Sequence, residues 1–139
     1  LETITIPKGV TSIEDGTFSE CNLTSIIFAE NSQIERIGYR AFTYCDFTSI
    51  NLPKGVKSIG DWAFVSCDNL TSVVLPASLQ SIGQKAFSYC EKLHDVYCYA
   101  ERVPSTVLDA FDNSYCKNAT LYVPANAIAS YRNTAPAHW

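Results

Sequence analysis

The chain has 139 residues and a formal net charge of −4, and only 17% of its residues are charged. An acidic balance without any run of Lys or Arg argues against nucleic acid and against anionic membrane surfaces as partners. No stretch reaches the roughly 20 apolar residues that a membrane-inserted helix needs, and Ser, Thr and Asn fill many polar positions, so the surface suits hydrogen bonding more than charge steering.

The segment from Phe47 to Asn69, FTSINLPKGVKSIGDWAFVSCDN, recurs along most of the chain: residues 1–22, 23–46 and 70–92 copy it closely, residues 93–118 more loosely, and residues 119–139 depart from it. A period of about 23 residues, with one deletion and one insertion, predicts a single repeat domain in which one supersecondary unit stacks on itself and touches only its neighbours. The chain opens inside a repeat at Leu1 without an initiator Met, and reads as a mature or excised piece of a longer protein.

Each unit opens with alternating apolar residues, such as Ile50 and Leu52 or Val73 and Leu75. Alternation with period two predicts a short strand with one face inside the coil. Pro7, Pro53 and Pro76 follow, each removing a backbone donor and ending the strand. Next comes the Val-x-Ser-Ile-Gly segment, as in Val56 to Gly60, which predicts a second short extended stretch with Val56 and Ile59 pointing inward. Gly38, Gly60 and Gly83 are expected to supply a turn conformation costly for other residues. The Ala-Phe pairs at 41–42, 63–64 and 86–87 then suit a single helical or 3₁₀ turn that packs Phe under the coil. Phe18, Phe42, Phe64, Phe87 and Phe111 are expected to stack as the spine of the core, each contributing about 1.5–3 kcal/mol by burial.

Cys21, Cys45, Cys67 and Cys90 occupy one equivalent slot, three residues after the Phe of their unit. In a stack they form a ladder of inward thiols about 4.8 Å apart. Parallel side chains at that spacing do not meet the closer Cβ approach that a disulfide requires, so they read as buried free thiols acting as small hydrophobes. No metal site is expected, because no C-x-x-C pair exists and the thiols lie along a line instead of around a tetrahedron.

Taken together, the L-T-S-I-x-L-P, S-I-G and A-F-x-x-C elements resemble the BspA-like class of leucine-rich repeats, found in bacterial surface proteins, over Leu1 to Lys92. The resemblance implies an α/β leucine-rich repeat solenoid, horseshoe-like, of short parallel β-strands and turns with a small C-terminal helical cap. Proline stands where the common pattern has Asn or Cys followed by Leu, which favours β and turn structure over a regular helical outer face. It also implies a secreted or cell-surface, non-enzymatic interaction module that binds host or matrix proteins or other cells, with glycans as a further ligand class. The alternative is a structural spacer within a larger surface protein, with no ligand of its own.

In the fifth unit Leu93, Val96 and Cys98 keep the strand slots and Ala110-Phe111 the core pair, while Arg102-Val103-Pro104-Ser105 replaces S-I-G. Cys116 falls five residues after Phe111, which leaves a Cys98–Cys116 bridge open. Beyond it, Leu121-Tyr122-Val123-Pro124 predicts one more strand, and residues 126–132 a short helix with Asn126 as its N-cap. Ile128, Tyr131 and Trp139 are expected to seal the last rung, since a repeat array must cover its terminal apolar surface.

Catalytic chemistry finds no footing. His94 and His138 are the only histidines; His94, Asp95 and Cys98 form the one arguable trio, and adjacency on a strand should turn His94 and Asp95 to opposite faces. No phosphate-cradling loop or dinucleotide fingerprint occurs, so neither a cofactor nor an enzymatic activity is expected. The Asn-x-Thr triplets at Asn22, Asn69 and Asn118 fall on repeat junctions and read as turn residues generated by the repeat.

A parallel stack aligns the third and fifth positions of every first strand on one outward face. In order these are Thr3 and Thr5, Ser25 and Ile27, Ser49 and Asn51, Ser72 and Val74, Asp95 and Tyr97, Thr120 and Tyr122. The candidate binding residues on this face are Ile27, Asn51, Val74, His94, Asp95, Tyr97 and Tyr122. Tyr97 and Tyr122 are its anchor-type side chains, because tyrosine is over-represented among binding hot spots.

Overall fold

The structure, a computed structural model, describes residues 2–106, 109–114 and 119–134. Its strands, numbered in chain order, lie in two columns. The first column holds β1 (Thr3–Ile6), β3 (Ser25–Phe28), β5 (Ser49–Asn51), β7 (Ser72–Leu75), β9 (Asp95–Cys98) and β11 (Thr120–Tyr122). The second holds β2 (Ser12–Ile13), β4 (Arg36–Ile37), β6 (Ser58–Ile59), β8 (Ser81–Ile82) and β10 (Ser105–Thr106). Every pairing is parallel and between equivalent residues of successive units, such as Val73 opposite Val96 and Ile37 opposite Ile59. The protein is therefore a parallel β-solenoid, with Ile6, Ile50, Val73, Leu75 and Val96 pointing in from the first column and Ile13, Ile37, Ile59 and Ile82 from the second.

The second column runs unbroken from β2 to β10, but the first is divided into a β1–β3 pair and a four-stranded β5–β7–β9–β11 sheet. The division coincides with the longer loop of the second unit. Residues 29–34 stand where Pro53–Val56 takes four residues in the next unit. The return does not distinguish this junction, because Phe47 follows Cys45 by two residues just as Leu23 follows Cys21, and β1 and β3 pair across that same short return. The longer outgoing loop thus marks the one rung whose first-column strand lacks the ladder that joins the other neighbours.

Among the described residues the Phe-bearing segments form no helix. They are chained β-turns: Thr17 N–H donates to Glu14 O (3.3 Å) and Cys21 N–H to Phe18 O (3.4 Å), and the residues in between donate to the next rung, Gly16 to Tyr39 O, Phe18 to Ala41 O and Glu20 to Thr43 O, each at 2.8 Å. A helix sends every amide along its own axis, whereas here alternate amides stitch one rung to the next. The third residue of each turn takes the left-handed conformation of a type II turn. Gly16 does so at φ 65°, but Arg40, Trp62 and Lys85 occupy the same slot, and Tyr44, Ser66 and Tyr89 the later one, at φ 51° to 61°.

Gly38, Gly60 and Gly83 serve proximity, not turn conformation, since none has a positive φ. A Cβ on Gly60 would lie 2.7 Å from the Gly38 carbonyl carbon, and one on Gly83 would lie 2.5 Å from Asp61 N. That closeness lets Asp61 Oδ1 accept Gln84 N–H at 2.8 Å, as Asp15 Oδ1 accepts Tyr39 N–H one repeat pair earlier.

The expected spine is present. Rings of Phe18, Phe42, Phe64, Phe87 and Phe111 stack in sequence at 5.4, 5.2, 5.1 and 5.2 Å between centroids, within 15° of parallel. Beside it, the thiols of Cys45, Cys67 and Cys90 donate to the carbonyls of Phe18, Phe42 and Phe64 in the preceding rung at 3.2–3.3 Å. In the fifth rung Ser114 takes the slot and donates to Phe87 O. Burial pushes the Cys45 thiol up to about 11 and the Cys67 thiol well above its ordinary value, so both stay protonated donors at neutral pH.

At the C-terminal end a 3₁₀ turn (Ala125–Ala127) leads into helix α1 (Ile128–Thr134), with Pro124 at the N-cap of the turn and Asn126 inside it. Proline sets the entry dihedral, so the helix starts later than Asn126 suggested. Ala127 and Tyr131 are buried against the core, whereas Ile128 is exposed. Tyr131 Oη donates to Ala100 O (2.8 Å), leaving the Cys98 thiol to donate to Tyr131 Oη (3.2 Å). Cys98 is a free thiol; Cys116 and Trp139 lie outside the described residues.

Candidate functional site

The outward positions of the first column form continuous rows because each strand repeats the same alternation. Val74 stands opposite Tyr97 and Asn51 opposite Val74; Tyr97 stands opposite Tyr122, and Ser72 and Thr120 flank Asp95 on either side. The two tyrosine rings stack at 4.4 Å between centroids and 9° from parallel, with Tyr122 44% exposed and Tyr97 half-buried beneath the row. Desolvation first, then the Asp95 carboxylate, push the Tyr97 phenol above its ordinary value.

Ile27, 53% exposed on β3, belongs to the other part of the column, across the interruption from exposed Asn51. The strand face is thus brought together as one surface from Asn51 to Tyr122, and Ile27 joins the hydroxyl-lined pair β1–β3, where Thr3 Oγ1 and Ser25 Oγ hydrogen-bond to each other at 2.8 Å.

His94 and Asp95 do touch, contrary to strand alternation: His94 Nδ1 lies 3.0 Å from Asp95 Oδ2. His94 precedes β9 and so escapes the strand's alternation, and its exposed ring reaches the side chain of the next residue. Cys98 faces the opposite side, buried against Tyr131, so the trio of His94, Asp95 and Cys98 is not assembled. Asn22 takes a left-handed backbone conformation at φ 51° ahead of β3, the Asn69 side-chain carbonyl accepts from Lys92 Nζ at 2.7 Å, and Asn118 lies outside the described residues.

A second surface escaped the sequence reading. The left-handed slots of successive turns line up along one edge, carrying Arg40, Trp62 and Lys85 in one column and Tyr44, Ser66 and Tyr89 in the other. The Arg40 guanidinium lies 5.4 Å and the Lys85 ammonium 5.3 Å from the Trp62 ring centroid, so the rung order places the indole between two cations. The signal was available in the slots two residues before and after each Phe, where a turn would ordinarily take Gly or Asn and these units place long side chains.

Among the described residues no helix is long and apolar enough to cross a membrane. A search of curated proteins finds no match. Similar solved structures include a leucine-rich repeat protein from Bacteroides ovatus, 36% identical with a TM-score of 0.74 over 91% of this chain, and a leucine rich cell surface protein from Faecalibacterium prausnitzii, 26% identical with a TM-score of 0.56 over 89%. The chain spans only 32% and 41% of their respective lengths. The family model described as a BspA type leucine rich repeat region matches residues 1–120 in six copies, as many as there are strands in the first column, and the chain belongs to that family.

Proposed function

We propose that this chain is a non-enzymatic interaction module of a secreted or surface-anchored protein, which docks a partner protein, from host or matrix or another cell, on the C-terminal half of its strand face. The observation that carries this reading is the Tyr97–Tyr122 stack beside Val74 on a sheet of regular parallel register. Two rings held rigid by each other offer large contact area with little entropy left to lose on binding. The surface location is supported by the family and by the Faecalibacterium relative, whose description places it at the cell surface.

The spacer reading keeps one observation in its favour: on the β1–β3 half the Thr3 and Ser25 hydroxyls bond to each other, and no aromatic side chain stands in its outward row. A surface-plasmon screen against extracellular matrix proteins and host-cell glycoproteins separates the two. Saturable binding that falls at least tenfold on combined Tyr97→Ala and Tyr122→Ala, but not on Lys57→Ala, supports docking. Binding indifferent to the tyrosine changes removes this patch, and the absence of any binder leaves the spacer.

A further inference from the structure

The aromatic row of the strand face has an open end. The ring centroids of Tyr97 and Tyr122 lie 4.4 Å apart, close to the rung spacing of about 4.8 Å. Their planes therefore stand across the row. Tyr122 covers one face of Tyr97, and the other face looks along the row toward Val74, which stands opposite Tyr97 on β7. Valine is too short to cover a ring, and among the described residues no second ring or cation stands over Tyr97.

Charge on this face comes from one residue. In the outward rows of the first column, from Thr3 and Thr5 to Thr120 and Tyr122, Asp95 is the only charged side chain. It lies on the same side of β9 as Tyr97, two residues earlier, between the short side chains of Ser72 and Thr120. Its charge is felt at Tyr97, whose phenol is pushed up by desolvation and then by the Asp95 carboxylate. Among the described residues no Lys or Arg pairs with Asp95, and His94 Nδ1 meets Oδ2 at 3.0 Å.

The end of the strands where the chain enters carries more negative charge. Asp46, Asp68 and Glu91, all exposed, follow Cys45, Cys67 and Cys90 in equivalent slots, and the nearby Lys92 is held by Asn69. The exit end is mixed, with Lys54 and Arg102 against Glu30 and Glu101. An open π face and a carboxylate on one side of the sheet, beside a negative rim, select a cation.

On the reading that this face docks a partner protein, we propose that the partner presents an arginine to it, the guanidinium stacked on the open side of Tyr97 above Val74 and its N–H groups reaching the Asp95 carboxylate over Ser72. A guanidinium is planar and carries its donors at its edge, so one group can lie on a ring and still donate to a carboxylate. A lysine ammonium has the charge without the plane.

The test is a ¹H–¹⁵N NMR titration of the intact chain with N-acetyl-L-arginine amide, with the citrulline derivative as its uncharged isostere and the lysine derivative as its equal in charge. One exposed cation–π contact and one exposed ion pair give a dissociation constant on the order of 10 mM, with citrulline about fivefold and lysine about threefold weaker. Shifts are expected at the amides of Ser72, Val74, Asp95 and Tyr97. Asp95→Asn, which keeps the shape of the side chain, erases the difference between arginine and citrulline, and Tyr97→Leu erases that between arginine and lysine; the spectrum of each variant reports its fold. Glu20→Gln, which removes an equal charge on the turn edge, changes nothing. Absence of shifts at about 100 mM of the arginine derivative, equal binding of citrulline or lysine by the wild-type chain, or shifts centred elsewhere each overturns the proposal. Repeating the matrix screen with Asp95→Asn separates this failure from that of docking itself: a binder lost with the two tyrosines but untouched by Asp95→Asn leaves docking standing and removes the arginine.

Discussion

The two strand columns are built from the same repeat, yet one is continuous and the other is not. Between the inward Ile of the second column and the Phe of the turn the chain has the same length in every close unit, as from Ile13 to Phe18 and from Ile59 to Phe64. Between strand and second column, residues 29–34 add two positions in the rung whose β3 does not pair with β5. The return from Phe to the next first-column strand also changes length, but only after the third unit, where β5 and β7 still pair. Fixed spacing accompanies the unbroken ladder β2 to β10, and the added residues accompany the break. In a solenoid, register is inherited from the previous rung, so a length change is absorbed in the segment that follows it.

The phenylalanine spine lies between the columns and should dominate both. Phe64→Ala, deleting a fully buried ring with neighbours on two sides, is expected to cost about 3–5 kcal/mol in urea unfolding. Half-buried Phe18, at the end of the spine, should cost clearly less; equal losses would mean that the rungs do not stabilise one another. Alkaline pH probes the return segment that enters the divided column. The thiols of Cys45 and Cys67 hold their protons in the folded state to a higher pH than in the unfolded chain, Cys45 to about 11 against an ordinary 9.0. Their contribution is complete below pH 9 and is lost as pH rises toward 11. Urea midpoints should fall across that window, and Cys45→Ala should flatten the fall.

Gly60→Ala attacks the continuous column, driving a methyl group into the Gly38 backbone at a cost of about 1–3 kcal/mol. Gly9→Ala, with open space around its Cβ but φ 99°, should cost about 1 kcal/mol through backbone strain alone. The smallest effect is read by hydrogen exchange. The amides of Ile26 and Asn51, which by alternation face the interruption, should exchange about tenfold faster than those of Val73 and Val96 inside the four-stranded sheet; equal protection would show that the division carries no energetic weight.

Much of this was legible in order of sequence. The period, the alternation of Ile50 and Leu52, the prolines and the recurring Phe and Cys slots each name a column, because a residue that recurs at the repeat distance must fall on the same side of every rung. The roles of individual residues were less legible. Glycines at 38, 60 and 83 looked like turn formers and are instead points where backbones nearly touch. His94 looked turned away from Asp95, yet it sits one residue outside the strand. Ser114 was unmarked until its hydroxyl was seen in the place of a thiol.

By itself the sequence determined the solenoid, the inward and outward face of each strand and the composition of the core, since all three follow from periodicity and from keeping apolar side chains away from water. Only the tertiary structure decided where the first column divides, how the Phe segments turn, and which side chains meet along the turn edge. Those depend on backbone dihedrals and on distances between units about 23 residues apart, and no local pattern encodes them.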